Sequence, residues 1–209
     1  MRTYEDKLTD LFKCVKGKTV MENASNNGDI SKCIKSNEPS HLTCIEPSDL
    51  WVNDYADTQI TSTVNEFYMS GANTQFDVIV EMGLLYKLHS PIHLIEQHIN
   101  LGNPDTIILE TMGNPGDNDP ENHRLESHLN EIELMQSGDL IPDTHMLKQP
   151  IPYMSILYPS DIDIIMVKMG YKQVFYEWLI QDKTVDILND PRWSAPKKHS
   201  WIGIYDKVL

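Results

Sequence analysis

Phe76-Asp77-Val78-Ile79-Val80-Glu81-Met82-Gly83-Leu84-Leu85-Tyr86, continuing to Ser90-Pro91, is the stretch on which the fold turns. Val78-Ile79-Val80 is a short β-branched run, the composition of a strand buried on both faces of a parallel sheet. Gly83 permits a tight backbone after it, and Ser90-Pro91 reads as a helix cap followed by a first helical position. Ile92, Ile95 and Ile99 then share one helical face, and Gly102 stands where a helix should stop. A buried strand thus ends in a loop carrying a tyrosine and returns as a helix. In open α/β sheets, ligands bind in loops of this kind, at the carboxyl ends of strands.

The alternation extends in both directions. Upstream, Leu8, Leu11, Phe12 and Val15 predict a leading helix over residues 4 to 15, ended by Gly17. Lys18 to Glu22 reads as a first strand, Ala24-Ser25-Asn26-Asn27-Gly28 as a turn and Asp29 to about Lys35 as a helix. His41 to Glu46 is a second strand, with Pro47-Ser48 as a helix start, and Gln59 to Val64 is a weak third strand suited to a sheet edge. Downstream, Thr106 to Glu110 is a further strand, and Pro159-Ser160-Asp161 opens a last helix that Gly170 stops. Tyr171 to Trp178 and Ser200 to Lys207 read as two final strands around a Pro-containing excursion.

Between residues 112 and 150 the pattern lapses. Asn114 to Pro120 has loop composition, and Leu125, Leu129 and Ile132 mark one amphipathic helix ended by Gly138. A connection of that length is expected to be an inserted lid or substrate-recognition segment. The expectation is a single α/β domain over residues 1–209, with a doubly wound, mostly parallel sheet.

The formal charge of −14 argues against a broad phosphate-binding surface, because nucleic-acid binding needs Lys and Arg to displace counterions. Cys14, Cys33 and Cys44 lack metal-ligand spacing, and their odd number fits a reducing cytoplasm. No signal peptide or membrane span is read, so a cytoplasmic location is expected. His123, His128 and His145 do not fall on one helical face, and no metal site is expected. Trp178, Trp193 and Trp201 read as packing residues, though the two beside the excursion could flank a substrate mouth. No cysteine has a pattern of basic neighbours that marks it as a nucleophile.

Chemistry is expected at the first turn. Small residues between a strand and a helix let backbone N–H groups approach a ligand. Glu46 ends the second strand about twenty residues later, the placement of an acid that accepts hydrogen bonds from a ribose. Turn and acid together point to a nucleoside-type ligand. Asn23, polar at the end of a buried strand, is either a ligand contact or a satisfied interior amide.

The order of Glu22 to Gly28, Ile45-Glu46-Pro47, Phe76 to Tyr86 and Ile107 to Glu110 resembles a class I S-adenosylmethionine-dependent methyltransferase. Within that class the chain is similar to the catalytic domain of the tRNA wobble-uridine (5-oxyacetyluridine) carboxymethyltransferases. Met82-Gly83-Leu84-Leu85-Tyr86, Ser90-Pro91, Leu109-Glu110-Thr111, Gly116-Asp117, Tyr158-Pro159-Ser160 and Ala195-Pro196-Lys197-Lys198 carry this similarity, from about Gly17 to Lys207. It implies a Rossmann-like seven-stranded sheet with the lid inserted before the last helix.

The resemblance also implies roles. Glu22 and the turn residues Ala24, Ser25, Asn26 and Gly28 would bracket the methionine part of S-adenosylmethionine. Glu46 would hold its ribose, and Met82 and Gly83 would lie against it from the fourth strand. Tyr86 matches a tyrosine that contacts the transferred group, making it the expected catalytic positioning and substrate-binding residue. Lys198 stands where the family has a carboxylate-binding arginine, and a lysine is a point charge rather than a two-pronged donor. The turn keeps only the last of the family's glycines, and the family's N-terminal domain is not expected here. With the acidic charge, these departures disfavour tRNA or require a protein partner to bring it; a homo-oligomer is also left open. The reading is a methyltransferase acting on an unidentified nucleoside-like or small-molecule substrate. The alternative is a catalytically lapsed relative that binds cofactor as a regulator or partner subunit.

Overall fold

The computed structural model of the chain describes residues 4–72, 74–85, 88, 90–113, 159–180 and 199–208. The strands are β1 (Thr19–Asn23), β2 (His41–Glu46), β3 (Thr58–Thr61), β4 (Val78–Glu81), β5 (Thr106–Gly113), β6 (Tyr171–Ile180) and β7 (His199–Lys207). They form one sheet in the order β3-β2-β1-β4-β5-β7-β6. Neighbours from β3 to β5 pair in parallel, and β7 runs antiparallel to both β5 and β6. The doubly wound, mostly parallel sheet expected from the alternation is therefore present.

The helices are α1 (Tyr4–Leu11), α2 (Asp29–Lys35), α3 (Val64–Met69), α4 (Pro91–Gln97) and α5 (Pro159–Lys168). Successive strand residues point to opposite faces. Val20, Val78 and Ile108 pack with Phe12 and Ile34 on one side, toward α1 and α2. Met21, Ile79 and Ile107 pack with Phe67, Ile95 and Met166 on the other, toward α3, α4 and α5. All four residues of β4 are buried, which is why its sequence is apolar without alternation up to Glu81. Each such Val or Ile contributes about 1.5–3 kcal/mol by leaving water. At the amino ends of β1 and β4, Asp77 Oδ2 accepts from both the N–H (2.8 Å) and the hydroxyl (2.9 Å) of Thr19.

Several local readings are corrected. β1 runs through Asn23, and the third strand stops at Thr61. Val64 instead opens α3, because Thr63 and Glu66 form a capping box in which each side chain satisfies the other's backbone N–H. Pro47-Ser48 starts no helix. Residues 47–57 turn across the sheet edge, held where Gln59 Oε1 accepts the Asn53 N–H at 2.9 Å. Pro91 occupies the first turn of α4 as expected, but the Ser90 side chain makes no capping hydrogen bond. Ile92 is 40% exposed, and Leu94 with Ile95 and Ile99 forms the buried face. α4 continues into a π-helical turn, His98–Gly102, ended by a left-handed Asn103. β5 extends to Gly113, so Met112 and Gly113 belong to the sheet; the rest of the 112–150 insertion lies outside the described residues.

Candidate functional site

From β1 the sheet grows one way, through β2 and β3, and from β4 it grows the other way, through β5. The point between β1 and β4 is therefore the topological switch point, where loops leaving adjacent strands splay apart and open a crevice. The turn after β1 lines one side of it. Ala24, Asn26 and Gly28 all have left-handed backbones, with φ of 51°, 50° and 85°. Asn tolerates that region and Gly is free in it, whereas Ala is strained there. The turn closes through a 2.9 Å bond from Gly28 N–H to the Ser25 carbonyl. A Cβ on Gly28 would meet Asn53 Oδ1 at 2.5 Å, so Asn53 is seated only because residue 28 has no side chain.

Glu46 braces the turn from β2. Its Oε2 accepts from the Asn26 N–H at 2.9 Å and its Oε1 from the Ser48 N–H at 3.0 Å. A carboxylate offers about four acceptor directions, so capacity remains for further donors. The side-chain Oδ1 of Asn26 is buried and accepts no hydrogen bond among the described residues, an orphan acceptor suited to a ligand donor.

Glu22 lies beneath the turn, 2% exposed. Its Oε2 accepts from the Ser31 hydroxyl and from Cys44 Sγ at 3.4 Å, while Asn53 Nδ2 donates to Ser31 Oγ at 2.6 Å. Burial pushes the Glu22 carboxyl up to about 7; the two donors oppose that rise, and the nearby charges of Glu81 and Glu46 reinforce it. Burial, with Glu22 beside it, also raises the Cys44 thiol, which therefore stays protonated and donates.

On the other side of the crevice, Met82 is buried and packs with the α1–α2 side of the core. Gly83, with φ of 76°, donates its N–H to Glu110 Oε2 of β5 at 2.7 Å. The loop after β4 is thus tied to the neighbouring strand.

Asn23 is an interior amide. Its Nδ2 donates to Glu81 Oε2 at 2.8 Å, and His98 Nε2 lies 3.1 Å from the same oxygen. The Tyr68 hydroxyl is 2.6 Å from His98 Nδ1. Burial, with the charge of Glu81 nearby, raises the Tyr68 phenol, so it stays protonated. Asn23 Nδ2 also lies 3.1 Å from His98 Nε2.

Glu22, Ala24, Ser25, Asn26, Gly28, Glu46, Met82 and Gly83 are accordingly brought to the carboxyl edges of β1, β2 and β4. Tyr86 and Lys198 lie outside the described residues, as do His123, His128, His145 and Trp193. Trp201 is 1% exposed and belongs to the core. Sequence reasoning missed Ser31, Asn53 and His98, and it assigned no contact to Glu81 or Glu110. Among the described residues no group of His, Cys, Asp and Glu could hold a metal ion, and no helix is long and apolar enough to cross a membrane.

No protein-family model matches the sequence, and comparison with curated proteins gives no match. Solved structures do match. A putative methyltransferase from Bacillus halodurans is similar over 99% of this chain and 99% of its own, at 11% identity and a TM-score of 0.65. The magnesium protoporphyrin IX methyltransferase of Synechocystis, solved with bound S-adenosylhomocysteine, is similar over 98% of this chain and 83% of its own, at 12% identity and a TM-score of 0.61. A SAM-dependent methyltransferase from Archaeoglobus fulgidus is similar over 97% and 92%, at 12% identity and a TM-score of 0.59. With strand order β3-β2-β1-β4-β5-β7-β6 and β7 antiparallel, the chain has the Rossmann-like fold of the class I methyltransferases.

Proposed function

We propose that the chain is an S-adenosylmethionine-dependent methyltransferase. The observation that carries the reading is the switch point itself, where a left-handed turn braced by Glu46 leaves β1 beside the strand that leads into the Gly83 loop. Bound there, the cofactor would supply an electrophilic sulfonium methyl for a substrate oxygen, nitrogen or carbon.

The residues present suit it. Glu46 retains acceptor capacity for ribose hydroxyls, and Asn26 Oδ1 lacks a donor among the described residues. Catalysis by these residues is orientation and desolvation, which hold methyl and nucleophile in near-attack geometry. Tyr86, three residues after Gly83 in the sequence, is the residue proposed to position the acceptor, and the 112–150 insertion is the segment proposed to select it. The similarity to the carboxymethyltransferases supports a nucleoside-like substrate. Lys198 in place of arginine favours the ordinary cofactor over a carboxylated one, and the net charge of −14 disfavours tRNA. The three free cysteines support a cytoplasmic setting.

One observation favours the lapsed alternative: Ala24 holds a left-handed backbone where glycine would be unstrained, so the turn is not optimised for close backbone approach. Calorimetry with S-adenosylmethionine and S-adenosylhomocysteine separates the readings from non-binding. Micromolar affinity that disappears in Glu46→Ala is the expected result; no binding of either compound overturns the proposal. Tyr86→Phe, assayed once an acceptor is known, is expected to lower turnover more than cofactor affinity.

A further inference from the structure

Asn23 and Glu81 are register partners, the last residues of β1 and β4, and they face each other across the switch point. Behind them stand His98 and Tyr68, giving a chain Asn23–Glu81–His98–Tyr68. All four are 7% exposed or less, and Glu81 and His98 are fully buried. The chain is only partly satisfied, because Asn23 Oδ1 and Glu81 Oε1 accept no hydrogen bond among the described residues. Such a network is a poor way to gain stability, since apolar side chains of similar volume commonly fill the same space at no loss or with a gain. His98 also opens a π-helical turn, a local irregularity often found at functional sites.

The position of the network gives it a use. Asn23 leads directly into the Ala24–Gly28 turn, and Glu81 leads directly into Met82 and Gly83. We infer that Asn23, Glu81, His98 and Tyr68 form a positioning network that locks the ends of β1 and β4 together and so sets the distance between the two loops flanking the cofactor crevice. The inference rests on the methyltransferase reading. None of the four is a catalytic residue; they act through the loops they hold.

The test separates position from stability. A variant carrying Asn23→Leu, Glu81→Met, His98→Leu and Tyr68→Phe removes the polar groups at similar volume. It is expected to keep or exceed the wild-type melting temperature yet bind S-adenosylmethionine and S-adenosylhomocysteine at least tenfold more weakly. Glu81→Gln, which keeps an acceptor for Asn23 and His98, is expected to stay within about threefold of wild type. Should the apolar variant fail to fold, nitrogen-15 spectra of the wild-type His98 ring decide: a shift on saturation with S-adenosylhomocysteine supports the network, and an unmoved ring overturns it. A folded apolar variant that binds as tightly as wild type overturns this inference alone. Wild-type protein that binds neither compound overturns both the inference and the function on which it rests.

Discussion

The carboxylate of Glu46 reaches back along the chain to the backbone N–H of Asn26, 2.9 Å away. Its second oxygen holds Ser48 at 3.0 Å. One side chain therefore ties the turn after β1 to the loop after β2. Truncating it in Glu46→Ala leaves two N–H groups without their partner, each at a cost of about 1–3 kcal/mol if water does not reach it. Urea unfolding should show a lowered midpoint, and Glu46→Gln, with one acceptor oxygen left, should fall between the two. An unchanged midpoint in Glu46→Ala would show that the loops are held by other means.

Ala24 and Gly28 predict opposite outcomes within five residues. At φ of 51°, Ala24→Gly relieves a left-handed strain and should stabilise the fold by about 1 kcal/mol. Gly28→Ala puts a Cβ at φ of 85° and 2.5 Å from Asn53 Oδ1, and should destabilise by roughly 2–4 kcal/mol. Equilibrium denaturation of both variants checks the pair. If the two shift in the same direction, the backbone of the turn differs from that described.

Glu22 makes stability depend on pH. Its folded-state value is raised from 4.5 to about 7, so the folded form holds its proton more tightly than the unfolded chain does. The penalty is absent below pH about 4.5, grows as pH rises through the interval, and is complete above about 7, where it reaches roughly 3 kcal/mol. Glu22→Gln abolishes this titration while leaving an acceptor for Ser31. The melting-temperature difference between Glu22→Gln and wild type should therefore widen in favour of the variant from pH 5 to pH 8. A difference independent of pH would remove Glu22 from this role.

Glu110 anchors the loop after β4 through the Gly83 N–H. In Glu110→Ala that amide should exchange with solvent at least about tenfold faster, corresponding to about 1.4 kcal/mol of lost protection. Amides inside β4, paired on both sides by β1 and β5, should keep their protection. Equal acceleration in both places would indicate general unfolding rather than release of the loop.

How much could be read beforehand differs by element. β1, β2, β4 and β5 were legible because burial on two faces demands apolar runs, and Val78-Ile79-Val80 has no other comfortable use. α3 escaped because six residues are too few for helical periodicity, although Thr63 and Glu66 carried its capping box in plain view. Pro47-Ser48 misled because the same residue types open helices and turns; the side chain of Gln59, a dozen residues on, holds that loop. At the site, Glu46 stood out from its place at a strand end, and Glu22 only through the family resemblance. Ser31, Asn53, His98 and Glu110 were not, because only the order of strands in the sheet brings them to their partners. Asn23 stood out as an anomaly, but its partner Glu81 is 58 residues away and nothing local names it.

β7 is the last along the chain of the seven described strands, yet it sits inside the sheet between β5 and β6. Among the described residues, the edge of Thr106–Gly113 that faces away from β4 pairs only with His199–Lys207, which is made last, and β6 likewise pairs only with β7. An open strand edge is a template for wrong pairing, within the nascent chain or with another one. The interval between synthesis of β5 and of β7 is thus the vulnerable period in this protein's birth, and insertion of a single antiparallel strand ends it.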